Sequence, residues 1–376
     1  MADRLSVVVV SNVEWSHLWQ RHQAVASLFA NEYRVHFIEI PGVRRVRLSD
    51  SVRIVRRALR VFGRESDQAV REPIPEGLTV HKPLVFPSTN AAFHLINQKL
   101  IDRYIRRNSE ILRNVEIIIT YSAASAAMRL IDCIPHRKLI YDCTDNFSAV
   151  RGIPKCFAHN ERSLLSCANL TLVPGNALAT RLRSTARRIE VVPHGADVER
   201  FILTSRRKGG SPRLIYYGHM HRQHFDFNLI CELARKKPSW QFWLVGPVMT
   251  PWRFPSNVEL LGPQPHSRLR DYLSEANLII LPYVINDYTS CVFPAKTYEC
   301  LATGLPIVST PLPELVSRVG GFIRFGSNAD EFGALIEDSI SSDRPELVCL
   351  RVDEALRNTW SARYQMVRGL LVSECG

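Results

Sequence analysis

The sequence predicts an α/β protein of two doubly wound domains, in each of which helices cover both faces of a parallel sheet. Three observations predict this. The chain has 376 residues and is 46% apolar, enough for two hydrophobic cores. Apolar, β-branched runs alternate with helical patterns along the chain. A polar, glycine-containing stretch at 204–213, TSRRKGGSPR, interrupts this alternation and indicates a linker.

The first half supplies the elements of one sheet. Its strand-like runs are continuous and apolar, as expected for strands that are covered on both faces. Helical patterns at 16–30 and 91–107 fill two of the gaps between them. The runs are 5–11, 35–40, 116–121, 138–144, 170–174 and 189–193.

The pattern restarts after the linker and predicts a second sheet. Strands are expected at 214–217, 241–245, 258–261, 278–281 and 307–309, with helices at 227–236, 267–275 and 295–302. We therefore assign 1–203 to the first domain, 204–212 to the linker and 213–356 to the second domain. Ligands of such sheets bind at the carboxyl ends of the strands, so a cleft between the domains is the expected site.

The net charge of +12 favours a polyanionic partner. Residues 43–64 contain eight arginines and one acid, and their apolar residues recur at helical spacing. This pattern is typical of an interfacial helix on anionic lipid, with a solvated surface helix as the alternative. Nucleic acid is disfavoured because only one aromatic residue, Phe62, lies among the arginines, and a stacking platform would require several. The expected lipid contacts are Arg53, Arg56, Arg57 and Arg60.

Several classes of protein are disfavoured. The apolar runs, such as the four valines of SVVVVS, are too short to span a bilayer, and no secretory leader pattern is present. The nine cysteines contain no Cys-x-x-Cys pair, so neither structural zinc nor a disulfide framework is expected, and a reducing cytosolic compartment is favoured. No glycine-rich dinucleotide turn follows the first strand, and no Walker loop is present. We expect no cofactor and no metal.

Glycine and proline mark four predicted strand ends in the second half. Glycine at such a position lets a flat or phosphorylated ligand approach the backbone, although glycine and proline also end strands for no functional reason. We expect these ends to share one rim. They are Gly218 with Arg222 in the following loop, Gly246 with Pro247, Gly262 with Gln264 shortly after it, and Pro282 with Tyr283.

A lysine at the start of the predicted helix 295–302 is unusual, because it meets the positive end of the helix dipole. An anionic ligand would explain Lys296, which suits a diphosphate. Glu299, one turn on, can accept hydrogen bonds from two ribose hydroxyls. The alternative is an exposed i,i+3 ion pair, which contributes only about 0.2–0.5 kcal/mol.

The stretch around these residues, PAKTYECLATGLPIVSTPLPEL, resembles the nucleotide-sugar motif of bacterial GT-B glycosyltransferases, in particular those of teichuronic acid and exopolysaccharide biosynthesis. WSHLWQRHQAVASLFA, LIYDCTDNFSAV and VVPHGADVERF are similar to further motifs of these enzymes, and the resemblance covers residues 5–315. It implies the GT-B fold, with two Rossmann-like domains facing a cleft. It also implies that 357–376 forms a C-terminal helix crossing back to the first domain.

The resemblance implies transfer of a sugar from a nucleoside diphosphate sugar to a lipid-linked (polyprenyl) or growing glycan acceptor, at the inner face of the cell membrane. Many retaining relatives carry a glutamate where this chain has Cys291. Lys296 with Glu299 instead resembles the xanthan-type glucuronosyltransferase, in which an aspartate of the first domain is the base. Whether the reaction retains or inverts configuration therefore stays open. Arg222 could substitute for the phosphate clamp that some relatives have in this loop.

An inverting reaction needs a carboxylate to take the acceptor proton. Asp142 and Asp145 follow a strand of the first domain, and Asp145 is preferred because it lies further into the loop, although either could cap the following turn. His194 is expected to be a turn residue. The expected acceptor contacts on the first helix are Trp15, Arg21 and Gln23, with a core role as the alternative for Trp15.

Two rival functions stay open at this point. One is a nucleotide-sugar epimerase on the same fold, which needs no acceptor. The other is a catalytically inactive scaffold that binds glycan or lipid.

Overall fold

The computed structural model describes residues 5–16, 19–40, 73–86, 91–150 and 153–372. The chain divides into two compact units, Met1–Val192 and Pro193–Gly376. Each unit contains one sheet, and all strand pairs found in the described residues are parallel. The predicted α/β class with two parallel sheets is therefore confirmed.

The first unit holds a seven-stranded sheet in the order β3-β2-β1-β4-β5-β6-β7. All six residues of the central strand β1 are buried, which explains its unbroken run of valines. The strands are β1 (Ser6–Ser11), β2 (Arg34–Glu39), β3 (Leu78–His81), β4 (Val115–Thr120), β5 (His136–Asp142), β6 (Leu170–Val173) and β7 (Ile189–Val191).

Helices connect these strands and pack on the sheet. In the described residues they are α1 (Arg21–Phe29), α2 (Ala91–Arg107), α3 (Ser109–Leu112), α4 (Ser125–Cys133), α5 (Lys155–Cys167) and α6 (Asn176–Leu182), and a 3₁₀ turn lies at Phe147–Ala149. Helix α1 begins later than the predicted start at residue 16. The side chain of Gln23 caps its first turn by accepting the Gln20 N–H at 3.2 Å, which sets the start of the helix.

The second unit holds a six-stranded sheet in the order β10-β9-β8-β11-β12-β13. Alternate residues of β8 enter different cores, Ile215 and Tyr217 on one face and Leu214 and Tyr216 on the other. The strands are β8 (Arg213–Tyr217), β9 (Gln241–Val245), β10 (Val258–Gly262), β11 (Leu278–Leu281), β12 (Ile307–Ser309) and β13 (Arg324–Phe325).

The helices of this unit are α7 (Val198–Phe201), α8 (Phe227–Lys236), α9 (Leu269–Ser274), α10 (Thr297–Ala302), α11 (Pro313–Val319), α12 (Ala329–Ser341), α13 (Pro345–Leu356) and α14 (Trp360–Val372). Two 3₁₀ turns lie at His266–Arg268 and Thr289–Cys291. Helix α10 has only six residues, and Lys296 is its N-cap rather than part of its first turn.

The division between the units lies earlier than the expected boundary after residue 203. Val198 and Phe201 are buried in a core of the second unit, together with residues of β8 and β11. The C-terminal helix is joined to the same segment, because Ala196 forms a parallel bridge with Thr359. A side chain at Gly195 would lie 2.7 Å from the Trp360 nitrogen, so this close approach requires glycine. That α14 also crosses back to the first unit stays a prediction.

The arginine-rich helix expected at 43–64, with Arg53, Arg56, Arg57 and Arg60, lies outside the described residues. Within the ranges that the structure describes, no helix is both long enough and apolar enough to cross a bilayer.

Candidate functional site

A rim of glycine backbone lies at the carboxyl ends of three neighbouring strands of the second sheet. Gly218 follows β8, Gly246 follows β9, and Gly262 ends β10. Their φ angles are +136°, +129° and +65°, a region in which L side chains are strained. The Gly218 N–H donates to the Val245 carbonyl and the Gly246 N–H to the Gly262 carbonyl, each at 2.8 Å. These bonds hold the three strand ends side by side.

Two of these glycines also have no room for a side chain. A Cβ at Gly246 would lie 2.1 Å from the Gly218 carbonyl oxygen. A Cβ at Gly218 would lie 2.8 Å from Nζ of Lys296. The glycine at 218 therefore leaves open the space beside the lysine ammonium, and the predicted rim and the predicted cation meet at one place.

Three tyrosines, which we call the tyrosine cage, surround the ammonium of Lys296. Its Nζ lies 3.8 Å from the ring centre of Tyr216, 5.2 Å from that of Tyr217 and 5.9 Å from that of Tyr283. Nζ also donates a hydrogen bond to the main-chain carbonyl of Tyr217. All three rings are buried, at 2%, 5% and 7% exposure. The ammonium is thus held by ring faces and one carbonyl.

The cage lowers the pKa of Lys296. Burial lowers this pKa to about 8, and the nearby Cys300 and Glu299 oppose the shift. Burial disfavours the charged form because the ammonium loses hydration that ring faces only partly replace. An anion that reached Nζ would stabilise the charged form.

Glu299 lies one turn further along α10 and is held by two side chains. Its carboxylate accepts a hydrogen bond from the Tyr217 hydroxyl at 3.4 Å. The His266 Nε2 lies 3.7 Å from its other oxygen. His266 stands edge-on to the ring of Phe201 at 5.1 Å, which fixes the imidazole. Sequence reasoning missed His266, although it lies only two residues beyond the predicted Gln264.

Of the other residues predicted for the rim, Tyr283 joins the tyrosine cage, and its N–H donates to Oγ1 of Thr310 at 3.0 Å. The Gln264 side-chain amide donates to the Leu261 carbonyl at 2.7 Å. The Pro247 carbonyl accepts from the Met220 N–H at 3.0 Å. These contacts shape the loops that follow β9, β10 and β11.

Arg222 is exposed, and its guanidinium lies 5.0 Å from the ring centre of Trp252. The structure thus places it against an aromatic ring rather than beside Lys296. His224, in the same loop, was not predicted. Burial, together with the nearby charge of Lys296, lowers the pKa of His224 to about 4, although the hydrogen bond to the His219 carbonyl acts in the opposite direction. This imidazole is neutral at physiological pH.

In the first unit, Asp142 forms a buried ion pair. Its Oδ2 accepts from Arg21 Nε at 2.7 Å, and Arg21 also donates to the Val192 carbonyl at 2.8 Å. Burial acts to lower the pKa of Arg21, but Asp142 and Tyr121 together outweigh it, and the pKa is raised. Asp142 has no exposed surface. Asp145 is half-buried in the loop after β5, so of the two carboxylates it is the one with access to solvent.

Trp15 and Gln23, the other two residues predicted to contact the acceptor, make contacts within the protein. Trp15 is 6% exposed, its ring stands edge-on to Phe37 at 5.1 Å, and its main-chain N–H donates to Oε1 of Glu39 at 2.8 Å. Gln23 is fully buried, caps α1 and donates to the Glu14 carbonyl at 3.2 Å. The acceptor role of Trp15, Arg21 and Gln23 stays a prediction.

His194 lies in the turn that follows β7. Its ring stacks on Phe293 at 6.4 Å, and its carbonyl accepts from Arg363 at 3.3 Å. Among the described residues, no group of three or more His, Cys, Asp or Glu side chains could hold a metal ion.

Comparison with protein families and curated proteins gives two matches. Residues 211–341 match the family described as Glycosyl transferases group 1. TuaH from Bacillus subtilis strain 168, provisionally named a teichuronic acid biosynthesis glycosyltransferase, is 28% identical over 206 residues. That match covers 47% of this chain and 51% of TuaH, so the chain spans about half the length of this curated relative.

Solved structures match nearly the whole chain. Sucrose-phosphate synthase from Thermosynechococcus elongatus has a TM-score of 0.71 at 15% identity, covering 98% of this chain and 100% of that one. HepE from Anabaena, solved in complex with UDP-glucose, has a TM-score of 0.65 at 11% identity, covering 98% and 100%. WaaG, a glycosyltransferase of lipopolysaccharide biosynthesis, has a TM-score of 0.64 at 12% identity, covering 96% and 98%. The predicted GT-B fold and the resemblance to bacterial glycosyltransferases are confirmed.

Proposed function

We propose that this protein is a glycosyltransferase of cell-surface polysaccharide biosynthesis, which moves a sugar from a nucleoside diphosphate sugar to a lipid-linked or growing glycan acceptor. The observation that carries the proposal is the glycine rim with Lys296 at its centre. The rim lies within residues 211–341, which match Glycosyl transferases group 1. The relatives named for teichuronic acid and lipopolysaccharide biosynthesis support the class of product.

The donor would bind by its diphosphate and its ribose. A diphosphate beside Gly218 would reach the Lys296 ammonium through the space that a side chain at 218 would fill. Glu299, held by Tyr217 and His266, would accept hydrogen bonds from the ribose hydroxyls. Arg222 could join the diphosphate only by leaving the ring of Trp252.

Transfer breaks the bond between the anomeric carbon and the diphosphate oxygen, and it forms a bond from that carbon to the acceptor oxygen. Negative charge grows on the departing diphosphate, where Lys296 would stabilise it. We assign Asp145 as the base that takes the acceptor proton in an inverting transfer. Asp142 is less suited to this role because its carboxylate is buried against Arg21.

The acceptor and the place of action follow from the same proposal. A lipid-linked acceptor would bring the protein to the inner face of the cell membrane as a peripheral protein. The arginine-rich pattern at 43–64 supports contact with anionic lipid, and its Arg53, Arg56, Arg57 and Arg60 would bind headgroups. The prediction that Trp15, Arg21 and Gln23 contact the acceptor is kept, although their burial, with 2% exposure for Arg21 and 0% for Gln23, argues against direct contact in this structure. None of the relatives described above is an epimerase.

The test is a panel of nucleotide sugars incubated with the purified full chain and a lipid-linked glycan extract, followed by mass spectrometry. UDP-glucose is the first probe, because the HepE structure contains it. The expected result is release of nucleoside diphosphate together with a one-sugar mass gain of the acceptor. An isomerised nucleotide sugar without acceptor would instead identify an epimerase. Binding of the donor without any turnover across the panel would identify an inactive scaffold.

A further inference from the structure

Helix α2 of the first unit has one face that packs against the unit. Ile101 and Asn97 are 0% and 1% exposed. The side chain of Asn97 accepts from the Phe86 N–H at 2.8 Å and donates to the Phe86 carbonyl at 2.7 Å. Further along, Asp102 receives two hydrogen bonds from Arg129 of α4, at 2.8 and 3.1 Å. These contacts fix the helix and its rotation about its axis.

The opposite face of α2 is exposed, and we call it the α2 patch. Leu95 and Ile96 are 59% and 43% exposed, although both are large apolar residues. With 3.6 residues per turn, the members of the patch fall within an arc of about 120° and extend for about 18 Å. The patch consists of Leu95, Ile96, Lys99, Arg103, Arg106 and Arg107, all of which are exposed.

The α2 patch is apolar at one end and cationic along the rest. Its two apolar residues lie near the start of α2, and its four cations follow. Asp102, the single acid of the helix, is engaged with Arg129. A helix face that only had to be solvated would not need leucine and isoleucine beside these cations, since exposed apolar side chains gain nothing from water.

We propose that the α2 patch docks on an anionic lipid surface, with Lys99, Arg103, Arg106 and Arg107 at the headgroup phosphates and Leu95 and Ile96 in the interface below them. The occupant follows from the two kinds of side chain. Phosphates complement the cations, and the boundary between headgroups and acyl chains takes the apolar end. Nucleic acid would use the cations but would leave Leu95 and Ile96 in water, and the patch has no aromatic side chain on which a base could stack.

The inference rests on the proposed function for its purpose, which is to bring the first unit to a lipid-linked acceptor. It does not rest on the arginines of 43–64. The charges and the apolar pair of α2 are on the described surface and can be tested separately.

The experiment is flotation of the full chain with vesicles of phosphatidylcholine containing phosphatidylglycerol, against vesicles of phosphatidylcholine alone. The charge variant replaces Lys99, Arg103, Arg106 and Arg107 by Gln. Each cation near an anionic leaflet contributes a factor of about five, so this variant should lose on the order of several hundred-fold in binding at low salt. The apolar variant, Leu95→Ser with Ile96→Ser, should lose the part of the binding that persists at high salt.

The matched control replaces four exposed arginines of the same unit by Gln, so that the change in net charge is equal. These are Arg137, Arg162, Arg183 and Arg187. The control should bind vesicles within a few-fold of the unmutated protein. Circular dichroism and the melting temperature should be the same for all variants, because every replaced side chain is exposed.

Four results would overturn the inference. The first is that the unmutated protein shows no dependence on anionic lipid, and the second is that the control loses as much binding as the charge variant. The third is that binding falls only when Arg53, Arg56, Arg57 and Arg60 are replaced. The fourth is that a single-stranded RNA competes with the vesicles for the charge-dependent binding while the apolar variant binds like the unmutated protein. Binding of UDP is measured on every variant, so that a failed donor site is distinguished from a failed lipid surface.

Discussion

Binding of the donor diphosphate should weaken as the pH rises above about 8, because the bound state needs Lys296 charged and the free site lowers its pKa to about 8. The sign follows from the direction of the shift. Below this pKa the ammonium is already present in the free protein, so the affinity does not change with pH on its account. Above this pKa the ligand must supply the free energy to protonate the lysine.

The magnitude follows from the fraction of protein in which Lys296 is charged. With a pKa of about 8, this fraction falls from about nine-tenths at pH 7 to about one-tenth at pH 9. The Kd for UDP should therefore rise about ten-fold between pH 7 and pH 9. The terminal phosphate of UDP is already about nine-tenths ionised at pH 7, since the second phosphate pKa is about 6, so its own titration changes the affinity little over this range.

The assay is isothermal calorimetry with UDP, in buffers that differ in ionisation enthalpy so that proton uptake is measured directly. Lys296→Met is the matched control, because it keeps the length of the side chain and removes the charge. In this variant the affinity should be lower at pH 7 and almost independent of pH. A flat profile for the unmutated protein, or an equal slope for Lys296→Met, would refute the assignment of the ammonium to the diphosphate.

Substitutions in the tyrosine cage test the same pH dependence of UDP affinity in a second way. Tyr216→Leu removes the ring face that lies 3.8 Å from Nζ, and it opens the site to water. The pKa of Lys296 should then rise, so the pH at which UDP affinity begins to fall should move upward. Tyr216→Phe keeps the ring face and should leave the profile in place, although it removes the hydroxyl that donates to the His219 carbonyl at 3.0 Å.

Three further predictions concern single residues. Glu299→Gln should weaken UDP and uridine by similar factors, since both carry the ribose, whereas Lys296→Met should weaken UDP alone; calorimetry with both ligands separates them. Gly246→Ala should destabilise the protein by more than about 1–3 kcal/mol in chemical unfolding, because φ is +129° and the new Cβ would meet the Gly218 carbonyl at 2.1 Å. An unfolding midpoint equal to that of the unmutated protein would contradict this, because it would show that the backbone of the rim shifts at little cost in free energy. Asp145→Asn should abolish turnover while UDP affinity stays within a few-fold, and near-normal turnover would place the base elsewhere.

The sequence predicted the rim because its cause is local. A strand that is buried on both faces must end in a residue that turns the chain, and glycine reaches the positive φ found at Gly218, Gly246 and Gly262. The fold class was predictable for a similar reason, since such strands are continuous apolar runs. Edge strands were harder to predict from the sequence. LTVH of β3 has only one fully buried residue, so it lacks the apolar run that identified the central strands.

The partners of the site residues could not be predicted, because they come from distant parts of the chain. Lys296 caps α10, whereas Tyr216 and Tyr217 lie at the end of β8. Hydrophobic spacing along the sequence carries no information about the contact between them. The same holds for His266 beside Glu299, and for Asp142. The sequence preferred Asp145 as the base and offered Asp142 as the second candidate, and only the structure shows that Asp142 is paired with Arg21.

The energetic cost of a cation at Lys296 has a different source from the one that the sequence suggested. The expected conflict with a helix dipole is weak here, because α10 has only six residues and Lys296 caps it. The stronger effect is burial. An ammonium has three N–H donors, and the protein acceptor for Lys296 is the Tyr217 carbonyl. Ring faces stabilise the charge less well than oxygen atoms do, so the free site keeps the lysine partly desolvated and its pKa low. Diphosphate oxygens would satisfy the remaining donors. On the proposed function, the free-energy cost of burying Lys296 would be offset when the diphosphate binds, so the strength of donor binding would depend on the cage rather than on the helix.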